Sequence, residues 1–550
     1  MFRIHSNIVI NMIRRQVLRA SRRLLSEQNR DPYTLSFGCF DRRYWSWKLV
    51  DYPEATFQRN VYPLAWLIKN PNPDLEVEGE ILSEAVQAGL CFAAQIQHSD
   101  GSFDQAFPHE HSFGATAFLL HSLLEAYRIV QETGSTEFRI KIERCLMRAA
   151  DFLCHHEERH GRIANHLAGA SLSMLTSGHY FDEPRYRERA WSLLERILEY
   201  QSPEGWFFEY DGADPGYQSL CLYYLAKIYL LHPDRQLRSK LERAIEFLSW
   251  FVHPDGTFGG EYGSRRTAIF YPGGLAVLAP EVPLARSLMR FMLTSIAEGR
   301  TVTPDDVDMG NFAPILENYL SVLEKGESLY EGDGPPLPCH LEEVLRDFPH
   351  AKLHARGTAR YYAIVGVSNG GVMKVFDRHE EKLIWNDGGY VGQMTDGRYI
   401  TSQMTSLERT YAVTPEEICF ETPFYSMRRS APTPFRFLIL RFLNLTLMRS
   451  IGLGNFIKRL LVKFFISGKQ TVPLKLIRTI KFGEKNITLI DKIEGRLSLR
   501  WLEYGRPFTS IHMASARYLE GKAGSPPRKS KRVDVSALQG AGQIDCQAII

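Results

Sequence analysis

Residues 209–218, EYDGADPGYQ, set Glu209, Asp211 and Asp214 beside Tyr210 and Tyr217, and the apolar run SLCLYYLAKIYLL follows at once. A phenol at the first turn of an inner helix, among carboxylates, is a candidate proton-transfer group. It needs help, because the unperturbed pKa of tyrosine is about 10 and only nearby positive charge or hydrogen-bond donors favour the phenolate. Arg265 and Arg266 of GGEYGSRRTAIFYPGG follow a similar turn one hairpin later and can supply that charge, with Glu261 and Tyr262 of the same stretch as further substrate-holding candidates. The plainer alternative is that Tyr217 only caps and packs.

A second candidate is Asn165–His166 in GRIANHLAGASLSML, at the start of another helix. An amide beside an imidazole can donate to a substrate carboxylate and so acidify the neighbouring C–H for a base. Asparagine is also a common helix N-cap, and His166 reads equally as a partly buried partner. Among His98, His109, His111, His155, His156 and His160, the PHEH stretch invites a metal reading. His109 and His111 lack helical spacing and no third ligand is implied, so no metal site is expected. TPDDVDMGN (303–311) lacks calcium-loop spacing and reads as a helix start. In FGCFDRRYWSWKLVDYPEATFQRN, Trp45 with Tyr44 and Trp47 could stack on sugar faces, or the stretch is a strap packed on the helices.

These residues need a scaffold. From about 80 to 330 the apolar positions recur at helical steps, as in Ala117, Leu120, Leu124 and Tyr127, or Leu241, Ile245, Leu248 and Phe251. The turns SDGSF (99–103), SPEGWF (202–207) and HPDGTF (253–258) resemble one another at spacings near two helices per unit, the signature of stacked hairpins. Hairpins that curve into a ring form an α/α toroid with the turns at one mouth. EGDGPPLPCH reads as a linker. Beyond it, short β-rich runs between Asn-Gly, Asp-Gly and Gly-Gly turns indicate an antiparallel sandwich. The expected division is a basic arm 1–30, toroid 31–330, linker 331–345, sandwich 346–515 and disordered tail 516–550. From 422 to 482 there is no Asp or Glu against twelve Lys and Arg, so that basic apolar insert, through 435–468, either lies on an anionic membrane surface or packs internally.

The chain has 550 residues, 44% hydrophobic and 23% charged, with net charge +3. The length calls for more than one domain, and the charge balance gives no case for nucleic acid. Eight cysteines without a CxxC pair read as reduced core residues. The start lacks the features of a signal peptide, so a cytoplasmic location is expected.

Asp-Gly hairpins, an Asn-His pair, DGADPGYQ about fifty residues later and a β-rich domain containing GGVMKVFD together resemble the heparinase II/III-like and alginate-lyase-like polysaccharide lyases over about residues 35–510. The resemblance implies an incomplete α/α toroid followed by an antiparallel β-sandwich. It also implies β-elimination on a uronate-containing glycan without a cofactor. Asn165 and His166 would neutralise the uronate and Tyr217 would move the C5 proton. Arg265 and Arg266, with Asp211, Glu261, Tyr262 and Trp45, are then expected to hold the acidic polysaccharide. The chain departs from the family at Gln218, where a histidine is common, and offers only His354 near the start of its sheet domain. A non-catalytic glycan-binding or scaffolding protein and an isoprenoid-cyclase-like toroid are the alternatives.

Overall fold

The computed structural model describes residues 2–159, 161–210, 212–427, 433–450, 452–454, 456–457, 470–504, 531–536, 538 and 542–550. Helix α1 (Phe2–Glu27) and the short α2 (Arg42–Trp45) precede α3 (Val61–Lys69), α4 (Gly79–Ile96), α5 (Phe113–Val130), α6 (Thr136–His155), α7 (Ala164–Tyr180), α8 (Pro184–Glu199), α9 (Pro215–Leu231), α10 (Arg235–Ser249), α11 (Gly273–Leu278), α12 (Pro283–Ala297) and α13 (Met309–Lys325). From α3 to α13 the odd-numbered helices pack each on the next, and α13 returns to α3. The even-numbered helices form the outer layer. Composition sorts the two layers: α7 and α9 are buried almost all round, whereas α8 and α10 bury one stripe and leave charged faces to water. The seam where α13 meets α3 is held by Arg59, whose Nη2 donates to Glu317 Oε2 at 2.7 Å, while Ser122 Oγ donates to Glu317 Oε1 at 2.6 Å.

The inner helices start at one end of the ring, and the outer-to-inner turns gather there. Two of these turns repeat bond for bond. Gly101 N donates to His98 O at 3.0 Å and Ser102 N to Asp100 Oδ1 at 3.0 Å, matched by Gly256 N to His253 O at 3.0 Å and Thr257 N to Asp255 Oδ1 at 2.9 Å. Gly101 has φ +91°, and a Cβ there would sit 2.0 Å from Arg148 O, so the turn needs glycine for its conformation and for its close approach to α6.

The C-terminal domain has two facing sheets. The first runs β1 (Val344–Phe348), β2 (Leu353–Gly357), β3 (Tyr361–Gly366), β4 (Val372–Asp377) and β5 (Lys382–Asp387), in that order and antiparallel. The second is built from β6 (Tyr390–Met394), β7 (Tyr399–Thr401), β8 (Tyr411–Val413), β9 (Glu417–Met427), β10 (Thr471–Phe482), β11 (Ile487–Gly495), β12 (Leu499–Tyr504), β13 (Lys531–Val533) and β14 (Gln543–Ile549). Strand β3 is buried throughout because both its faces are covered. Tyr361, Ala363 and Val365 meet Ile418, Phe420 and Ile480 of the second sheet, while Tyr362 and Ile364 join the toroid core. Tyr362 OH donates to Trp250 O at 2.6 Å across that junction. The expected α/α toroid plus antiparallel β-sandwich is the observed architecture.

Three boundaries change. The N-terminal arm is a helix that packs on α12 and α13, because Ile13, Val17 and Leu24 recur at helical steps and are buried. The basic insert is shorter than 422–482, since β9 and β10 form a ladder from its two ends. Its helix α14 (Pro434–Leu445) is tied to the N-terminal strap by Arg441, 2.7 Å from Asp51. The tail is not irregular throughout, as β14 pairs with β11 from Thr488↔Ile549 to Glu494↔Gln543.

Candidate functional site

Asp214 caps α9. Its Oδ1 accepts from Tyr217 N at 3.0 Å, and its Oδ2 accepts from Arg265 N at 2.9 Å and Thr267 N at 3.2 Å, which fastens the 260s loop to the helix start. Glu209, one strand bridge away, is the hub. Asn165 Nδ2 donates to its Oε2 at 2.6 Å and Arg265 Nη1 to its Oε1 at 2.7 Å. Arg265 Nη2 then lies 3.4 Å from Tyr217 OH, and the guanidinium carbon stands 4.4 Å from the ring centres of both Tyr210 and Tyr217. Asn165, Glu209, Arg265 and Tyr217 come from three hairpin junctions and form one connected cluster. Beside it, His166 Nδ1 is 2.7 Å from Glu158 Oε2 and its ring meets Phe118 edge-on.

Burial pushes the Tyr217 phenol up to about 12, with Glu209 and Asp214 adding to the rise and Arg265 opposing it. The Glu209 carboxyl is also pushed upward by burial, against the pull of Arg265. The resting site therefore holds a phenol. A phenolate at pH 8 costs roughly 5 kcal/mol, at about 1.4 kcal/mol per pKa unit. Arg265 is close enough to stabilise that charge as it forms, but Glu209 already offsets its own.

Of the residues expected from the sequence, Asn165, Tyr217 and Arg265 converge, and His166 adjoins them. Asp211 lies outside the described residues. Tyr262 is corrected: it is 1% exposed, and its hydroxyl lies 2.8 Å from His253 Nε2 in the core. Glu261 meets Lys374 of β4 at 2.9 Å, and Arg266 Nη2 donates to Gln403 O at 3.2 Å, so both join the toroid to the sandwich. Trp45 is a strap residue whose Nε1 donates to Glu27 O at 2.9 Å. His354 is buried in the sandwich, facing Asp347 and stacked on Phe482. A further sandwich residue at the mouth is Asn369, which donates to Glu261 O and Gly263 O at 2.8 and 2.7 Å. Gln218, the departure from the lyase pattern, accepts from Phe207 N at 2.9 Å and clamps the preceding turn. Sequence spacing does not mark Glu209 and Glu158 as binding groups, because their pairing with Asn165, Arg265 and His166 arises only in the fold. Of the acidic run 303–311, Asp305 pairs with Arg19, Asp306 closes a capping box with Thr303 and Asp308 caps α13, the helix start expected from the sequence.

Residues 57–274 match the Ulvan lyase N-terminal domain family, a segment that contains Asn165, Glu209, Tyr217 and Arg265. Among solved structures, the chondroitin AC lyase of Streptomyces coelicolor A3 in complex with chondroitin sulphate is similar with TM-score 0.57 at 10% identity, over 90% of this chain and 67% of that one. A chondroitinase AC lyase studied in oligosaccharide complexes gives 0.46 at 8% identity over 90% and 68%. A mutant of the heparan sulfate lyase HepC from Pedobacter heparinus gives 0.43 at 12% identity over 88% and 70%. Comparison with curated proteins finds no match. The Streptomyces enzyme carries the likeness in fold, and the matched segment carries the resemblance to polysaccharide lyases read from the motifs.

Proposed function

We propose that the protein is a polysaccharide lyase that cleaves a uronate-containing glycan by β-elimination. The observation that carries this reading is the convergence of Asn165, Glu209, Arg265 and Tyr217 within the segment similar to ulvan lyases. The chondroitin sulphate held by the structural relative supports an acidic polysaccharide as the substrate class. Asn165 and His166 face the uronate carboxylate, and Glu209 fixes the amide and the guanidinium in place. The C5 proton passes to a base, His166 Nε2 or the Tyr217 phenolate, and the electron pair left behind forms the C4–C5 double bond as the C4–O bond breaks. The resting phenol of Tyr217 then suits protonation of the departing oxygen, and Arg265 steadies the phenolate that results.

Incubation with a panel of uronate glycans should release unsaturated, ultraviolet-absorbing ends, and Tyr217→Phe should lower kcat by about 10²- to 10⁴-fold, the span of general acid–base catalysis. No such ends from any polymer in the panel would sink the reading. If Tyr217 also removes the C5 proton, its raised pKa makes kcat/KM climb about tenfold per pH unit in mildly alkaline solution. A flat profile there assigns proton removal to His166, whose Nδ1 is held by Glu158.

We infer further that α14 meets an anionic membrane surface from the cytoplasmic side, placing the enzyme where cell-surface polysaccharide is made or edited. Phe435, Leu438 and Phe442 are exposed by 70%, 68% and 66% on a helix with Arg436 and no acidic residue. No helix among the described residues is long and apolar enough to cross a membrane. Full-length protein should float with phosphatidylglycerol vesicles and not with phosphatidylcholine ones, and Leu438→Asp with Phe442→Asp should end it. Failure to float with either lipid removes this contact.

A further inference from the structure

We infer that His98, His109 and His111 form a binding site for one divalent transition-metal ion, zinc by preference. In the sequence His109 and His111 have no third partner. The structure supplies it, because the turn after α4 folds His98 back against the loop that enters α5. One ligating nitrogen from each residue lies within 4.8 Å of the other two. The ring centres of His98 and His111 are 4.4 Å apart, and those of His98 and His109 5.4 Å apart. A tetrahedral zinc site with Zn–N bonds near 2.0–2.1 Å brings its nitrogens to about 3.3 Å, a tightening that side-chain rotation can provide.

The surroundings follow the logic of a metal centre. His98 Nε2 is 2.8 Å from Asp104 Oδ2, and His111 Nδ1 is 2.8 Å from Asp100 Oδ2 and 2.7 Å from Ser102 Oγ. The His98 and His111 rings thus each have one nitrogen held by a carboxylate and the other available to a metal, the arrangement that orients histidine ligands and raises their donor strength. The same Asp104 also shapes the loop, accepting from His109 N at 2.7 Å and His111 N at 3.0 Å. Both histidines take left-handed backbone, φ 58° and 51°, a conformation that non-glycine residues keep only where the surroundings impose it. Here it turns two imidazoles toward a third. Three rings so placed can turn nitrogens toward one cation, and two carboxylates behind them offset its charge. Imidazole donors select zinc, copper, nickel or cobalt over calcium and magnesium. Three protein ligands leave a fourth position for water or another small donor.

The site lies at the same end of the ring as the Tyr217 cluster but at a different junction. Gly114, three residues beyond His111, sits beneath the His166 ring so closely that a Cβ would meet Nδ1 at 2.5 Å. A metal that fixes this loop therefore fixes the first turn of α5, on which His166 rests.

The test uses untagged, full-length protein stripped with chelator and dialysed against cobalt(II) or zinc(II). The expected result is one equivalent of bound metal, with the visible bands of tetrahedral cobalt and no thiolate charge-transfer band, and a higher melting temperature in the metal-loaded form. His109→Ala should lose the bands and the metal-induced shift while keeping the melting temperature of stripped wild type, since among the described residues its ring makes no hydrogen bond. His111→Gln is the second variant and should weaken binding at least tenfold. Stripped protein that takes up no cobalt, or binding that survives His109→Ala unchanged, overturns the site. Neither outcome bears on the lyase reading, which is scored by unsaturated ends.

Discussion

Two junctions of the ring are written in almost the same letters, HSDGSF at 98–103 and HPDGTF at 253–258, and fold into the same turn. Their histidines nonetheless end in different chemistry. His253 is fully buried, with Nδ1 2.7 Å from Thr257 Oγ1, Nε2 2.8 Å from Tyr262 OH and its ring stacked on Phe376 of the sandwich at 4.4 Å. The side chain of His98 keeps a fifth of its surface exposed and faces two other imidazoles. The turn sequence settles the backbone, and what lies over the turn settles the role of the ring. The sandwich covers one junction and makes its histidine part of the core. The other is left to a loop of its own chain.

The sharpest way to break this contrast is truncation. His253→Ala should cost about 3 kcal/mol, because it opens a cavity under Phe376 and strands the Tyr262 hydroxyl. His98→Ala in stripped protein should cost about 1 kcal/mol, and urea unfolding of both variants measures the gap. Equal losses would mean that the covering domain does not distinguish the two turns.

A smaller effect comes from acid. Burial, helped by Lys374, holds the His253 pKa well below its ordinary value, so the unfolded chain takes up a proton that the folded one refuses. The stability that His253 contributes is complete above the unfolded pKa near 6.5 and falls by at most about 1.4 kcal/mol per pH unit below it. Unfolding midpoints from pH 7.5 to 5 should show this slope in wild type and lose it in His253→Gln. An unchanged slope in the variant assigns the acid sensitivity elsewhere.

The smallest expected change is at the edge of the covered junction. Glu261→Gln leaves the mostly buried Lys374 with a neutral acceptor in place of a carboxylate and should cost about 1 kcal/mol. Hydrogen exchange should loosen at 259–267 and β4 while residues 98–111 stay as they were; loosening at both would couple the two junctions.

The ring was legible because its signals are local. Ala117, Leu120, Leu124 and Tyr127 are all buried as their spacing requires, and the Asp-Gly turns fall where glycine is forced. Tyr217, Asn165 and Arg265 were legible because each opens or precedes an inner helix, and those starts share one end. Long-range facts were not. Nothing in EYDGAD ranks Glu209 above its acidic neighbours, since its partners lie 44 and 56 residues away. Tyr262 and Glu261 look like mouth residues until the sandwich is laid over them. His98 is separated from His109 and His111 in the sequence by a turn whose fold-back only the single bridge between Phe103 and Ser112 makes visible. Helix α1 hid behind its arginines, although its apolar stripe has helical steps.

The seam of the ring has a consequence for how the molecule assembles. Gln16 bonds Ile296 O, Arg19 bonds Asp305 and Arg59 bonds Glu317, across 280, 286 and 258 positions of chain. Each hairpin can form as it emerges, but these three contacts wait for α12 and α13, and joining such distant partners carries the largest loop-closure entropy in the domain. Until then the apolar stripe of α1 has only α3 and the turn at 73–75 beside it, so a helix that precedes the ring in the chain is among the last to be fully covered.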